Sequence, residues 1–310
     1  MFEKALASVL SKQLGWLVKD LDQDKLSLSV WKGAVELTDL ELSLREKREE
    51  LLVKQEKEKT EQRERIEELV PGYGGEESIG LELDREAVID PPSLLAALEA
   101  SCRKRGVKII EEAGRLELRE RDGRVLLPRD LAPQMETGTR VLVAAGSWTP
   151  AAVEPLGPGR VPVAPVRGQA IELDQPPPAC VVHFCLAGSG AAYYLVPKPE
   201  GRTWVGSTVE EVGYDDSSTP HGRAELLVAA RSVLPDLREE AVRRQWAGLR
   251  PKALRRGGPF IGRWPGVEDL WIAAGNYRSG ILQGPATARI LCEAMEEGRD
   301  IDESFALLEA

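Results

Sequence analysis

The stretch Trp271-Ile-Ala-Ala-Gly275-Asn-Tyr-Arg278-Ser-Gly280-Ile-Leu-Gln-Gly284-Pro285 constrains this chain more than any other. Leu270 to Ala274 is a short apolar run closed by Gly275, the pattern of a buried strand. Gly280 and Gly284 then bracket a turn, and Pro285 suits a first helical position, where its missing N–H costs nothing. Ala286, Ile290, Leu291, Ala294 and Met295 continue at helical spacing towards Gly298, a plausible stop. The order is therefore strand, glycine-rich turn, helix. Such a turn exposes backbone N–H groups and the helix start adds positive partial charge, so together they suit an anionic or polarisable ligand. On pattern alone, an ordinary strand–helix junction reads the same way.

A chain of 310 residues is long enough for two modest domains and a sizeable core. The net charge of −10 argues against nucleic acid as a partner, since phosphate binding wants a basic surface. Four cysteines (Cys102, Cys180, Cys185, Cys292) show neither a C-x-x-C pair nor metal-finger spacing, and fit reduced thiols. With only His183 and His221, a histidine-based metal centre or nucleophile triad is excluded as the leading reading, and no metal is expected. His183 falls in an apolar strand and His221 in a loop, which reads as structural or exposed. No apolar run reaches membrane-spanning length and the start lacks signal-peptide order, so the expectation is a soluble protein, cytoplasmic or peripheral at a membrane.

The first forty-four residues switch period. Phe2, Leu6, Val9, Leu10, Leu14, Leu17, Val18 and Leu21 fall on one stripe of a helix over roughly 2–20. Leu26, Leu28 and Val30, then Val35 and Leu37, then Leu40, Leu42 and Leu44 alternate as a strand meander. Both apolar faces exceed what so small a piece can bury, so it must cap something larger. The run Leu14-Gly-Trp-Leu-Val-Lys-Asp-Leu-Asp, followed by Leu26-Ser-Leu-Ser-Val-Trp-Lys-Gly-Ala-Val-Glu-Leu-Thr-Asp-Leu, is similar to the N-terminal chorein segment of vacuolar protein-sorting lipid-transfer proteins. The resemblance implies a lipid or membrane partner for residues 1–44. Arg45 to Leu69 is dense in Glu, Lys, Arg and Gln without Gly or Pro, and reads as a solvated helical spacer with pairs such as Glu61 and Arg65.

Further along, Ile89-Asp-Pro-Pro-Ser-Leu-Leu begins a helix ended by Gly106, with Leu94, Leu95 and Leu98 on one face, and Val107 to Ile110 reads as a strand. Asp122-Gly123 between alternating runs signals a hairpin. Arg140-Val-Leu-Val-Ala-Ala-Gly146-Ser-Trp148 is a buried strand entering a glycine turn. Strands follow at Val163–Ile171, at Tyr193–Pro197, at Thr203–Thr208 and at Gln245–Pro251, with a helix at Glu225–Val233.

Taken together, Gly275-Asn-Tyr-Arg-Ser-Gly-Ile-Leu and several of these runs, in the same order from about Leu69 to Met295, resemble the FAD-dependent D-amino acid oxidase family, closest to its glycine oxidase branch. Asn276 stands where that family usually has histidine, and Ser279 where it usually has asparagine. Arg255-Arg256 replaces a segment where an acidic residue is common. The family also opens with a strand, a G-x-G-x-x-G turn and a helix that cradle the FAD pyrophosphate. No such fingerprint occurs in this sequence; Gly72-Tyr-Gly74-Gly75 lacks the third glycine at the right offset. The expected fold class is thus mixed α/β (α+β). An incomplete FAD-binding Rossmann-like sheet and an antiparallel-sheet substrate domain occupy 71–310, preceded by the helix-plus-β-meander cap over 1–44 and the charged helical connector over 45–70.

The resemblance implies FAD as cofactor and a small amino acid or amine as substrate, oxidised to the imino acid by hydride transfer to the flavin, whose electrons then pass to oxygen to give hydrogen peroxide. It places Asn276, Tyr277, Arg278, Ser279, Gly280, Ile281, Leu282 and Gly146 at the cofactor. It places Arg250, Tyr194 and Arg278 at the substrate. An arginine holds a carboxylate best, because its planar fork donates to both oxygens and keeps its charge. Tyr194 aligns with a tyrosine that hydrogen-bonds the same carboxylate. No side chain is assigned as a catalytic acid or base, since hydride transfer from a neutral amine needs none. Two other readings stand beside this one: an inactive oxidase-like remnant whose chorein-type end serves lipid transfer or membrane contact, and a sequence joining pieces of two neighbouring genes.

Overall fold

In a computed structural model of the chain, the described residues are 60–75, 88–114, 118–126, 139–186, 191–255 and 257–307. All but Thr60 belong to the unit Glu61–Ala310. The chorein-like cap over 1–44 and the connector up to residue 59 lie outside the described residues. The end of the connector, 61–69, is helical as expected, with Arg63 pairing Glu67 one turn on at 2.7 Å. It docks through Val70, which is buried.

The elements run α1 (Pro91–Lys104), β1 (Arg119–Arg121), β2 (Arg124–Leu126), β3 (Val141–Val143), α2 (Thr149–Val153), β4 (Val163–Leu173), β5 (Val182–Cys185), β6 (Ala192–Lys198), β7 (Arg202–Gly206), α3 (Pro220–Arg231), β8 (Val242–Ala253), β9 (Phe260–Arg263), β10 (Leu270–Ala274) and α4 (Gly280–Glu297). They form the two sheets expected and a separate two-stranded hairpin, β1-β2. A small sheet has the order β3-β10-β9, with β10 parallel to β3 and antiparallel to β9. A larger, wholly antiparallel sheet has the order β5-β6-β7-β4-β8.

The small sheet is covered on both faces, which explains its near-continuous apolar strands. Leu270 and Ile272 of β10 point into a core with Val143, Phe260, Trp264 and the β1–β2 hairpin residue Val125. The alternate residue Trp271 packs with Ile261 against Leu291 and Ala294 of α4. The larger sheet is covered on one face by α3, whose Gly222, Leu226, Ala229 and Ala230 recur at helical spacing and bury against Ile171, Leu173, Leu195 and Val205. Thr219 caps α3 by accepting from the Gly222 N–H. The opposite face of this sheet carries polar and aromatic side chains.

Three local expectations are corrected. Val107 to Ile110 is not a strand: it pairs with nothing among the described residues, and Val107 and Ile110 are 51% and 44% exposed. An apolar run becomes a strand only when a neighbouring ladder takes its N–H and C=O groups. The α4 helix starts at Gly280, so Pro285 lies inside it and not at its first position. Its ring removes one donor within the early turns, a loss confined to the carbonyl four residues back. His221 sits in the first turn of α3, not in a loop. The stop at Gly298 holds, with φ 70° in the left-handed region. All four cysteines are free.

On the polar face of the larger sheet, Glu172 is buried between Trp204 and two arginines. It accepts from the Trp204 indole at 2.7 Å and pairs with Arg202 at 3.3 Å and Arg244 at 3.5 Å. Burial pushes its carboxyl up, but the indole N–H, Arg244 and Arg202 together hold it below the ordinary value of 4.5. A carboxyl depressed in the folded state contributes stability above its unfolded pKa and loses it as pH falls through the folded value. The melting temperature of Glu172→Gln should therefore fall less steeply than wild type when pH is lowered below 4.5, which calorimetry across that range checks. Parallel curves would show that Glu172 is not linked to folding in this way.

Candidate active site

Two glycines shape the polar face of the larger sheet. Gly168 of β4 stands opposite Gly248 of β8, and Gly206 of β7 lies between Tyr194 of β6 and Ala170 of β4. A glycine inside a strand commonly marks a close approach, and both do so here. A Cβ on Gly168 would lie 1.9 Å from Nη2 of Arg250, so the guanidinium lies flat on the bare backbone. A Cβ on Gly206 would lie 2.5 Å from the Tyr194 hydroxyl. The sequence thus sets one cation and one phenol side by side on the same face.

Arg250 extends from β8, half-buried. Its Nη1 donates to the carbonyls of Arg167 at 3.3 Å and Thr208 at 3.2 Å, and its Nη2 donates to Ser207 Oγ at 2.6 Å. A guanidinium carries five N–H donors, so these bonds leave donors over. Among the described residues no carboxylate pairs with it. Burial draws its pKa below the ordinary arginine value, and the Arg278 cation acts in the same direction, while Tyr194, Tyr277 and Glu210 oppose. Arginine nonetheless keeps its charge in proteins. A half-buried cation without an internal ion-pair partner is costly in a fold.

Tyr277 and Arg278 reach this cation through the backbone. The Tyr277 N–H donates to Pro251 O at 2.9 Å, and Asn276 bridges Lys252. Gly275 at φ 89° and Tyr277 at φ 48° make the reversal that turns β10 towards the end of β8. The exposed Arg278 lies over the Tyr277 ring at 5.3 Å. Tyr194 and Arg278 thus both lie within electrostatic reach of Arg250.

Beside them lies a cavity of about 290 Å³ at the C-terminal ends of the parallel strands β3 and β10. Gly146, Gly275, Asn276, Gly280, Gly284 and Pro251 line it, with Ala144, Ala273 and Ala288. Ligands of open α/β sheets bind at such strand ends. Small residues let a flat ligand approach the backbone, and the start of α4 supplies main-chain N–H groups. Ser147 Oγ and Thr149 Oγ1, buried next to Gly146 in sequence, have no hydrogen-bond partner among the described residues. The Tyr214 hydroxyl donates to Ser147 O at 2.9 Å, tying the loop after β7 to this turn.

Of the residues expected at a cofactor, Gly146, Asn276 and Gly280 line the cavity. Tyr277, Arg278 and Ser279 lie in the connecting turn, and Ile281 and Leu282 project outwards, 49% and 85% exposed. Sequence reasoning missed Ser207, Thr208, Gly168 and Gly206. The two glycines had a legible signal, as glycines inside strands; the two hydroxyl residues had none, since their role depends on partners some forty residues away in sequence.

A family model described as FAD dependent oxidoreductase (DAO) matches residues 14–294, reaching further towards the N-terminus than the resemblance from Leu69 onwards. Glycine oxidase of Pseudomonas aeruginosa is 32% identical over 242 residues, covering 74% of this chain and 62% of that protein. The crystal structure of glycine oxidase from Geobacillus kaustophilus matches with a TM-score of 0.58 and 27% identity, covering 71% of this chain and 58% of the other. That of iminodiacetate oxidase from Chelativorans sp. BNC1 matches with a TM-score of 0.56 and 26% identity, covering 69% and 58%. The chain thus spans between 58% and 62% of the length of these relatives. It belongs to the DAO family of FAD-dependent oxidoreductases.

Proposed function

We propose that this chain acts on a small amino acid or amine as a glycine oxidase-type enzyme, with domain limits 1–44, 45–70 and 71–310. The observation that carries the reading is Arg250: a charged, half-buried guanidinium whose protein partners are two carbonyls and one hydroxyl, leaving N–H groups for a substrate carboxylate. Relatives named as oxidases of glycine and of iminodiacetate support that substrate class.

The residues present fit one part of FAD. The cavity at the ends of β3 and β10 has Gly146, Gly275, Gly280 and Gly284 in its lining beside apolar Leu142 and Leu291, so a flat, largely apolar ring can approach the backbone there. Gly146, Asn276, Tyr277, Arg278, Ser279 and Gly280 would hold the cofactor. Ile281 and Leu282 would contribute main-chain N–H groups of the first helical turn, since their side chains face outwards. When bound, FAD supplies the electron acceptor for oxidation of the carbon–nitrogen bond. The chain's own residues orient the substrate. Arg250 holds its carboxylate, the Tyr194 hydroxyl donates to the same group, and Arg278 adds a second positive charge. That second cation disfavours a protonated amine nearby and so favours the neutral form. No side-chain base is assigned.

The absence of a G-x-G-x-x-G run from the sequence favours a second reading, an inactive oxidase-like remnant whose residues 1–44 contact lipid or membrane. No helix among the described residues is long and apolar enough to cross a membrane. No group of His, Cys, Asp or Glu among them is placed to hold a metal ion.

The visible spectrum of the purified full chain after incubation with FAD and desalting separates these readings. Retained flavin absorbance, bleached by glycine or a D-amino acid without oxygen, is expected, and Arg250→Lys should retain the absorbance but require at least ~tenfold more substrate for bleaching. A colourless protein sinks the oxidase reading for this chain. Gly168→Ala offers an independent check. Its methyl group must displace the Arg250 guanidinium, which is the free end of a flexible side chain, so the fold should tolerate it within about 1 kcal/mol. Affinity for glycolate, a small carboxylate without the amine, should nevertheless drop at least ~tenfold by titration calorimetry. Unchanged affinity would remove Arg250 from carboxylate recognition.

A further inference from the structure

The segment following β7 folds back along β4, and its carboxylates have no part in the reading above. Its main chain is zipped to β4: Thr208 N–H donates to Gln169 O at 3.2 Å, Arg167 N–H to Glu210 O at 2.8 Å, and Glu210 N–H to Arg167 O at 3.0 Å. The zip is closed by one carboxylate. Glu210 Oε1 accepts from the Thr208 hydroxyl and from Gln169 Nε2 at 2.8 Å, and Glu210 Oε2 accepts from Arg167 Nη2 at 2.7 Å. The Arg167 side chain is 5% exposed and that of Glu210 19%. A charge-assisted bond this sheltered from water is among the stronger ones available.

The two carbonyls that accept from Arg250 Nη1 belong to Arg167 and Thr208, the residues Glu210 clamps. We infer that Glu210 is a positioning residue for carboxylate recognition: it fixes the carbonyl acceptors that hold the Arg250 guanidinium flat over Gly168. Glu210 forms no hydrogen bond or ion pair with Arg250 among the described residues and would act through those two carbonyls. The inference rests on Arg250 as the carboxylate anchor.

Asp215 supplies an internal control. It pairs with the same Arg167 through Nη1 at 2.6 Å, but is 52% exposed and makes no bond to Thr208. Titration of the full chain with glycolate, in saturating FAD, should give a Kd raised about tenfold by Glu210→Gln and changed less than about twofold by Asp215→Asn. The Arg250 Nε–H resonance, identified by its loss in Arg250→Lys, should broaden in Glu210→Gln and stay sharp in Asp215→Asn. If Glu210→Gln does not fold, Thr208→Val removes the hydroxyl link while leaving the ion pair, and should shift the same two readouts in the same direction.

Equal loss in the Glu210 and Asp215 variants would mean that the cluster only stabilises the fold, and overturns the inference. So would weaker binding with an unchanged Arg250 resonance. Glycolate binding that survives Arg250→Lys would fell the underlying substrate reading, and the inference with it. Binding that is lost in Arg250→Lys but unaffected by Glu210→Gln would fell the inference alone.

Discussion

The ladder between β4 and β8 is the interaction on which the remainder depends. Eleven residue pairs, from Val163 with Ala253 to Leu173 with Val242, join the two strands. Val163 at one end belongs to the core beneath the small sheet, while Ile171 and Leu173 at the other belong to the core beneath α3. One two-stranded ribbon therefore runs through both cores. Its register is pinned by alternation, because a slip of one residue would turn Ile171 and Leu173 out of the core and bury Glu172 in it. The same register puts Arg250, two residues before the Lys252 that bridges to Asn276, within electrostatic reach of Tyr277 and Arg278.

The site is electropositive on a chain of net charge −10. Acidic side chains are close by, yet they are engaged elsewhere: Glu210 and Asp215 bind Arg167, and Glu211 binds Lys252. Arg250 is given carbonyl oxygens instead. A carbonyl holds a guanidinium in place without cancelling its charge, whereas a carboxylate would do both and would compete with a ligand. This division of partners separates orientation from neutralisation, which is what the proposed role of Arg250 requires.

What was legible in the sequence was local. Leu270–Ala274, Gly275 and the helix to Gly298 could be read because a buried strand, a reversal and an amphipathic helix each leave a short-range period. Asp122-Gly123 gave its hairpin for the same reason, with Gly123 at φ 76°. Val107–Ile110 failed because apolar content says nothing about whether a partner strand is at hand. Pro285 misled because helix starts are judged from favoured positions, while here Gly280 begins the helix and the proline is tolerated a turn later. Arg250, Tyr194 and Arg278 came from resemblance, and their convergence depends on register. Glu210 was invisible, since nothing near it in sequence reveals Arg167 on the neighbouring strand.

The arrangement also sets which parts of the chemistry are independent. Every group that orients Arg250 comes from β4, β8 and the segment after β7, and the glycine seat beneath it is part of β4. The cofactor-side cavity draws instead on β3, β10 and the start of α4, with only Pro251 contributed by β8. On the proposed reading, carboxylate recognition would be a property of one sheet, held by main-chain ladders, and flavin binding would draw on the other. Binding of a small carboxylate and binding of flavin should therefore respond to different substitutions, with the turn from Gly275 to Arg278 as the link through which one ligand feels the other.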